Sequence, residues 1–245
     1  MIQISTSVHQ KNPKVLEAYL RGISALDTEG LDVCYSFVLH NPSGYEKDMF
    51  SELLPDADLQ VAKTNSKPAV RSAFTHLWGM GTVGVVAAIK NVLIKQAVER
   101  GADIFFCDSD QVLQPPTLKH LVEQGKDTIG EILWTSWKPT ESPMPNCWDY
   151  DDYGFHEGQV NELREPGVYK VGYVGGCIFL SHKAISDGVS YERIPVITTW
   201  GEDRHLGIRA SVLGYQMWVD THYPLFHIYR DTDLQDLDGW LVENG

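Results

Sequence analysis

Apolar runs alternate with helical patterns through the first half of the chain. Residues 3–8 read as a short strand ending in a turn. From Pro13 to residue 26, Val15, Leu16, Tyr19, Leu20 and Ile23 recur near helical spacing and predict an amphipathic helix. LDVCYSFVLHN at 31–41 has the β-branched and aromatic content of a buried strand, and Asn41-Pro42-Ser43-Gly44 ends it as a loop. Residues 46–54 predict a short helix and 58–62 a strand. Thr82 is placed to cap a long helix through VGVVAAIKNVLIKQAVER, with Gly101 at its C-terminal end. The strand ADIFFCDSD follows at once, then a turn and a Pro-led helix over 116–124. Residues 128–137 predict another strand, and 168–182 a strand pair or one strand with a glycine kink. A helix over 202–213 stops at Gly214, and YQMWVD is the strand after it.

This alternation predicts an α/β fold with a mostly parallel central sheet flanked by helices on both faces. Ligands of such sheets sit beyond the carboxyl ends of the strands. Residues 138–166 are rich in Pro, Asp and Tyr and have no periodicity, and a loop of that length is usually functional or disordered. With no internal repeat or linker, one domain is expected over 1–230, followed by an acidic, loosely packed C-terminal tail over 231–245.

Composition narrows the function. The 245 residues are 43% apolar and 22% charged, enough for a core that needs neither disulfides nor a structural metal. A net charge of −13 speaks against nucleic acid as a partner and against a polybasic membrane patch. An acidic protein that takes an anionic substrate needs local positive charge, and a divalent cation held by carboxylates supplies it. Cys34, Cys107, Cys147 and Cys177 lack ligand spacing, so reduced thiols are expected rather than a cysteine zinc site or a disulfide framework. The N-terminus has no basic or apolar leader region, and no stretch reaches the apolar length of a membrane span. The expectation is a cytoplasmic protein with no integral membrane segment.

Asp108-Ser109-Asp110 is the first candidate for chemistry. Asp-x-Asp recurs at Asp56, Asp149, Asp231 and Asp236, so context has to separate this copy from the rest. It stands at the end of the apolar strand IFFC, where two carboxylates can converge on one cation that bridges two phosphates. Capping of the next turn is the plain alternative. Gly175-Gly176 interrupts an apolar strand, which permits close approach to a bulky ligand or marks a β-bulge. Glu202-Asp203 opens a helix, where acidic residues favour the dipole and a carboxylate can also deprotonate an acceptor hydroxyl. His227 follows a short link containing Pro224 and is a candidate metal ligand, with His222 its competitor.

These landmarks stand in a particular order. Lys90-Asn91 lies on the helix leading into GADIFFCDSD; GGCIFL follows, then WGEDRHLGIRASVLGY, a strand and a histidine. Over roughly residues 80–230 the chain resembles GT-A glycosyltransferases, especially the large inverting group related to cellulose and chitin synthase catalytic domains. The resemblance implies a single GT-A, Rossmann-like domain and a metal-dependent transfer of one sugar from a nucleoside-diphosphate sugar, UDP by family frequency. It implies Mn or Mg at Asp110, with Asp108 on metal or ribose and His227 completing the site. Asp203 is then the base, with Glu202 orienting acceptor or helix. Lys90, Asn91 and Lys95 face the nucleotide, Ser5, Thr6 and Ser7 lie near the base, and Ser109, Gly175 and Gly176 line the donor. The usual Arg of the helix pair is Lys90 here, and the Gln-x-x-Arg-Trp signature of processive synthases is missing from the tail.

The acceptor is left open among a glycan, a lipid carrier, a protein and a small molecule. Trp134, Trp137, Trp148, Trp200 and Tyr150 are candidate sugar platforms, with core packing the alternative for each. Asp151 and Asp152 are candidates for sugar hydroxyls. The competing readings are a sugar-nucleotide-binding protein or donor hydrolase, disfavoured by Glu202-Asp203, and a nucleotidyltransferase. The latter is disfavoured because STSVHQKNP holds no glycine-rich phosphate loop.

Overall fold

The first apolar run becomes β1 (Ile2–His9), and it lies between two parallel neighbours, β2 (Val33–His40) and β4 (Asp103–Cys107). The computed structural model describes residues 1–9, 12–65, 70–71, 76–77, 79–138, 140–149, 157–197 and 201–244. The remaining strands of the main sheet are β3 (Asp58–Ala62), β5 (Gln111–Val112), β6 (Thr128–Thr135), β7 (Met144–Pro145), β8 (Val168–Lys170), β9 (Cys177–Leu180) and β10 (Trp218–His227). Their order is β8-β10-β6-β9-β4-β1-β2-β3, with β5 on β10 and β7 on β6. The run from β4 to β3 and the β6–β10 pair are parallel; β9 enters antiparallel between β4 and β6. The expected mostly parallel sheet is present, with one reversed strand at its centre.

Helices cover both faces, which explains why the central strands read as unbroken apolar runs. Side chains of β4 alternate. Ile104 and Phe106 enter a core with Ile89, Leu93 and Ala97 of α3 (Met80–Arg100); Phe105 enters a second core with Leu16 and Leu20 of α1 (Pro13–Ser24). The second core also takes Phe50 of α2 (Tyr45–Leu53) and Leu118 and Leu121 of α4 (Thr117–Glu123). Asn12 caps α1, accepting from Lys14 N, and Pro13 takes the first turn, where its missing N–H costs nothing.

Several expectations need correction. α3 starts at Met80 after Gly79, so Thr82 lies inside the helix and is not its cap; Gly101 does end it, at φ 66°. By length and composition Gly81–Arg100 is apolar enough to cross a membrane, contrary to the reading that no stretch is. Here its apolar side packs on the sheet. The strand expected to stop at Asp220 runs on to His227, absorbing Pro224 through a register shift between Asp220 and Leu225. Such a bulge is where a strand tolerates proline. Residues 138–166 contain β7, the start of a hairpin pairing Cys147–Trp148 with Tyr173–Val174, and a helix at Glu157–Glu162. The acidic end is helical: it forms α6 (Leu234–Asn244), whose Leu237 is buried and whose Trp240 meets Phe226 at 5.6 Å. The four cysteines are free thiols, Cys107 and Cys177 opposite one another across β4 and β9.

Candidate active site

β4 ends at Cys107 and the chain turns through Asp108-Ser109-Asp110 into β5. The turn is fastened to three neighbouring strands. Asp108 N donates to Gly176 O at 2.9 Å just ahead of β9, and Ile228 N donates to Asp110 O at 2.8 Å just past β10. Ser109 Oγ donates to Ser7 O of β1 at 3.5 Å. Gln111 N closes the turn on Asp108 O at 3.0 Å. Ser109 and Asp110 are buried as a result, while the Asp108 side chain stays 35% exposed.

Behind Asp108 sits Lys90, a lysine at the midpoint of α3 and only 1% exposed. Its Nζ lies 3.1 Å from Glu202 Oε1, 3.3 Å from Asp108 Oδ1 and 3.9 Å from Asp203 Oδ1. Tyr191 places its ring 4.8 Å from the same ammonium. Burial alone pulls the Lys90 pKa down, but Asp108 and Glu202 outweigh it and hold the group charged, well above its ordinary range. Asp203 moves the other way for a carboxylate. Burial, then the charge of Glu202, push it well above the usual range, and Lys90 only partly opposes them.

Glu202 and Asp203 are the first residues of α5 (Glu202–Val212), entered through Gly201 at φ 91°. Gly207 lets this helix press onto the Cys147–Val174 hairpin: a Cβ there would stand 2.5 Å from Tyr173 Cβ. Gly175 and Gly176 then approach the acidic residues closely. A Cβ on Gly175 would meet Asp203 Oδ2 at 2.8 Å and Trp148 at 3.6 Å; one on Gly176, at φ 85°, would meet Gln111 Nε2 at 2.0 Å. The glycine pair is therefore needed for clearance within the site itself.

The second part of the site joins Asp110 to His227. His227 Nε2 faces Asp110 Oδ1 at 3.9 Å, and its Nδ1 is held by Thr135 Oγ1 at 2.7 Å. That separation is below twice a bond length of about 2.1 Å, so one small divalent ion can reach both atoms. Thr135 fixing the other ring nitrogen is the outer support a metal-bound histidine ordinarily has. The donor set of one carboxylate and one imidazole suits Mn or Mg completed by oxygen ligands. Three carboxylates around one lysine leave the neighbouring cluster net negative, which further favours a cation here.

The structure thus brings Lys90, Asp108, Ser109, Asp110, Gly175, Gly176, Glu202, Asp203 and His227 to one end of the sheet. Ser7 joins them through its carbonyl; Ser5 and Thr6 are buried further along β1, where Ser5 Oγ accepts from Gln3 Nε2 at 2.9 Å. Asn91 accepts from Tyr191 N at 2.8 Å and so positions the segment that covers Lys90. Lys95 is not in the cluster. Five residues beyond Lys90 it is turned about 140° around the helix, is 80% exposed and stands 3.9 Å from Glu99.

Of the aromatic candidates, Trp148 lines Gly175 and stacks on Tyr173 at 5.0 Å, while Trp134 is covered by Arg164 at 4.1 Å. Trp137 meets Tyr229 edge-on at 5.4 Å. Tyr150, Asp151, Asp152 and Trp200 lie outside the described residues. His222 is held elsewhere, on Asp220. Tyr191, Thr135 and Gln111 are site residues that sequence reading missed, because none belongs to a patterned motif.

No family model matches this sequence, and no curated protein sequence matches it. Solved structures do. GalNAc-T7, crystallised with UDP, GalNAc and Mn2+, superposes with a TM-score of 0.63 at 11% identity, covering 94% of this chain and 44% of that one. TarS of S. aureus superposes at 0.55 with 12% identity, covering 91% of this chain and 36% of TarS. A shorter TarS chain in complex with UDP-GlcNAc gives 0.55 and 12%, covering 91% of this chain and 57% of its own. The chain spans less than two thirds of the length of each. At these identities the likeness is one of fold, the GT-A fold.

Proposed function

We propose that this GT-A chain is a metal-dependent glycosyltransferase. It moves a single sugar from a nucleoside-diphosphate sugar, with UDP as the nucleotide, to an acceptor hydroxyl with inversion. The observation that carries this reading is the meeting, around Gly175-Gly176, of the Asp110–His227 pair with the Lys90–Glu202–Asp203 cluster. That structures holding UDP-GlcNAc, or UDP, GalNAc and Mn2+, share its fold supports the choice of donor and metal.

Asp110 and His227 hold Mn or Mg, which when bound offsets the charge of the leaving diphosphate. Asp203 takes the proton of the acceptor hydroxyl as its oxygen bonds to the anomeric carbon. The bond from that carbon to the phosphate oxygen breaks, and its electron pair leaves with the nucleoside diphosphate. A carboxylate whose pKa is raised by burial and by Glu202 is a stronger base than an exposed one. Lys90 keeps Glu202 and Asp108 in place and limits the repulsion among three carboxylates. The open backbone at Gly175 leaves room for the sugar beside Asp203, with Trp148 next to it.

A thermal-shift screen of nucleoside diphosphates with and without manganese tests the donor half; UDP plus manganese is expected to stabilise the chain most. Asp110→Ala is expected to abolish the metal-dependent part of that shift. UDP release from UDP-sugars, followed as acceptors are added, tests the transfer half. Absence of any manganese-dependent nucleotide binding, or release indifferent to every acceptor, overturns the reading.

A further inference from the structure

We propose that His120, Asp220 and His222 form a second metal site, for Zn2+, separate from the Asp110–His227 pair. His120 reaches in from α4, Asp220 lies on β10, and His222 sits in the bulge that follows. His120 Nε2 is 3.1 Å from Asp220 Oδ2 and 3.3 Å from His222 Nδ1; His222 Nδ1 is 3.0 Å from Asp220 Oδ1. Zinc bound tetrahedrally at about 2.0–2.1 Å sets its ligand atoms roughly 3.3 Å apart. The two ring nitrogens stand at that value, each faces a different oxygen of the Asp220 carboxylate at 3.0–3.1 Å, and one ligand atom from each residue lies within 4.8 Å of the others. Two imidazoles and a carboxylate are also a donor set that zinc takes readily.

A second observation points to a cation. Glu131 is the register partner of Asp220 across the parallel β6–β10 pair, and both are fully buried. Glu131 Oε2 has no hydrogen-bond partner. Asp220 is a fully buried carboxylate, and among the described residues the side chains that stand on it are the two imidazoles. The site opens to solvent on the histidine side, His222 being 35% exposed, so a hydrated ion can enter and keep a water as its fourth ligand. The edge-on Tyr223 ring at 5.1 Å steadies His120, and a bound ion would take the place of the Gln124 Nε2 contact, now 3.2 Å from His120 Nε2.

The bulge is what makes the cluster. Between Asp220 and Leu225 β10 advances five residues while its partner β6 advances two, from Glu131 to Leu133. The extra length swings His222 back towards α4. Glu131 beside Asp220 and Thr135 beside His227 are four residues apart on β6, about 13 Å at the strand rise, so the two sites do not share an ion.

The test uses the full chain after chelation, titrated with Zn2+ by calorimetry. His227→Ala removes the competing histidine and is expected to leave one zinc bound per chain at unaltered affinity. His222→Ala is expected to weaken that binding by on the order of 100-fold or more, beyond the loss from removing an outer-shell partner. Ring-nitrogen NMR of the unsubstituted protein adds a reading that no variant can spoil: both His120 and His222 resonances move on adding one equivalent of Zn2+. Equal zinc affinity in His222→Ala, or ring nitrogens that stay in place, overturns the site and leaves a hydrogen-bonded His–Asp–His group.

Discussion

Lys90 Nζ stands 3.1 Å from Glu202 Oε1, a contact that joins the middle of α3 to a helix that opens 112 residues further on. α3 and α5 are thereby tied at the point where the acidic turn passes between them. Removing the charge leaves Glu202, Asp108 and Asp203, 12–35% exposed, together without the cation they share. Lys90→Met is expected to destabilise the fold by about 3–5 kcal/mol, the usual cost of stripping one partner from a buried ionic group. Urea unfolding measures it, and a midpoint equal to the parent's contradicts the hub role.

Asp203→Asn keeps the size of the side chain and deletes its basicity. Turnover is expected to fall by roughly 10²–10⁴-fold, the range of a general base, with nucleotide affinity unchanged. Steady-state kinetics beside a binding titration separates the two quantities. A variant as active as its parent removes Asp203 from the base role.

Gly176→Ala meets two obstacles at once: a left-handed φ of 85° and a Cβ 2.0 Å from Gln111 Nε2. A loss of about 1–3 kcal/mol from backbone strain is expected. Gln111 follows Asp110 directly, so weaker manganese binding is expected as well. Thermal melting with and without manganese reads both effects, and intact metal binding in a destabilised protein confines the glycine to a backbone role.

His40 offers a pH test away from the acidic cluster. It is buried at the end of β2, its Nε2 is 2.7 Å from Thr64 Oγ1, and its ring lies 4.4 Å from that of His9. Burial, then the neighbouring His9, lower its pKa from 6.5 to about 4. The unfolded chain therefore binds the proton first as pH falls. The contribution of His40 to stability is full above about 6.5, is lost progressively on acidification, and levels off near 4. Denaturant midpoints across this window should fall in the parent and flatten in His40→Asn. Parallel slopes for the two proteins refute the assignment.

Much of this was legible in the sequence because local rules sufficed. Long apolar runs became central strands, Gly101 stopped α3, and Glu202-Asp203 opened α5. The strand-end position of Asp108 and Asp110 followed from the run before them. What stayed hidden depends on long-range packing. Lys90 is expected from the sequence to face the nucleotide, and its place among Asp108, Glu202 and Asp203 appears only when α5 packs over α3. Pro224 reads as a strand breaker unless the strand bulges around it. In α6, Leu234, Leu237 and Trp240 do carry helical spacing, but the surrounding aspartates dominate the pattern. Thr135 acquires its role only when β10 arrives beside β6.

The reversed strand β9 separates two kinds of freedom in this fold. Because it runs against β4, the segment leading into it arrives at the acidic turn from outside the sheet, through the Cys147–Val174 hairpin. The turn itself hangs from backbone bonds to Gly176 and Ile228 and from the Ser109 hydroxyl on Ser7 O, none of which depends on how long that incoming segment is. Insertions or exchanges upstream of Tyr173 can therefore reshape what approaches Asp203 while the grip at Asp110 keeps its dimensions. For the transfer reaction proposed above, a chain wired this way can change the recipient without altering the hold on the leaving group.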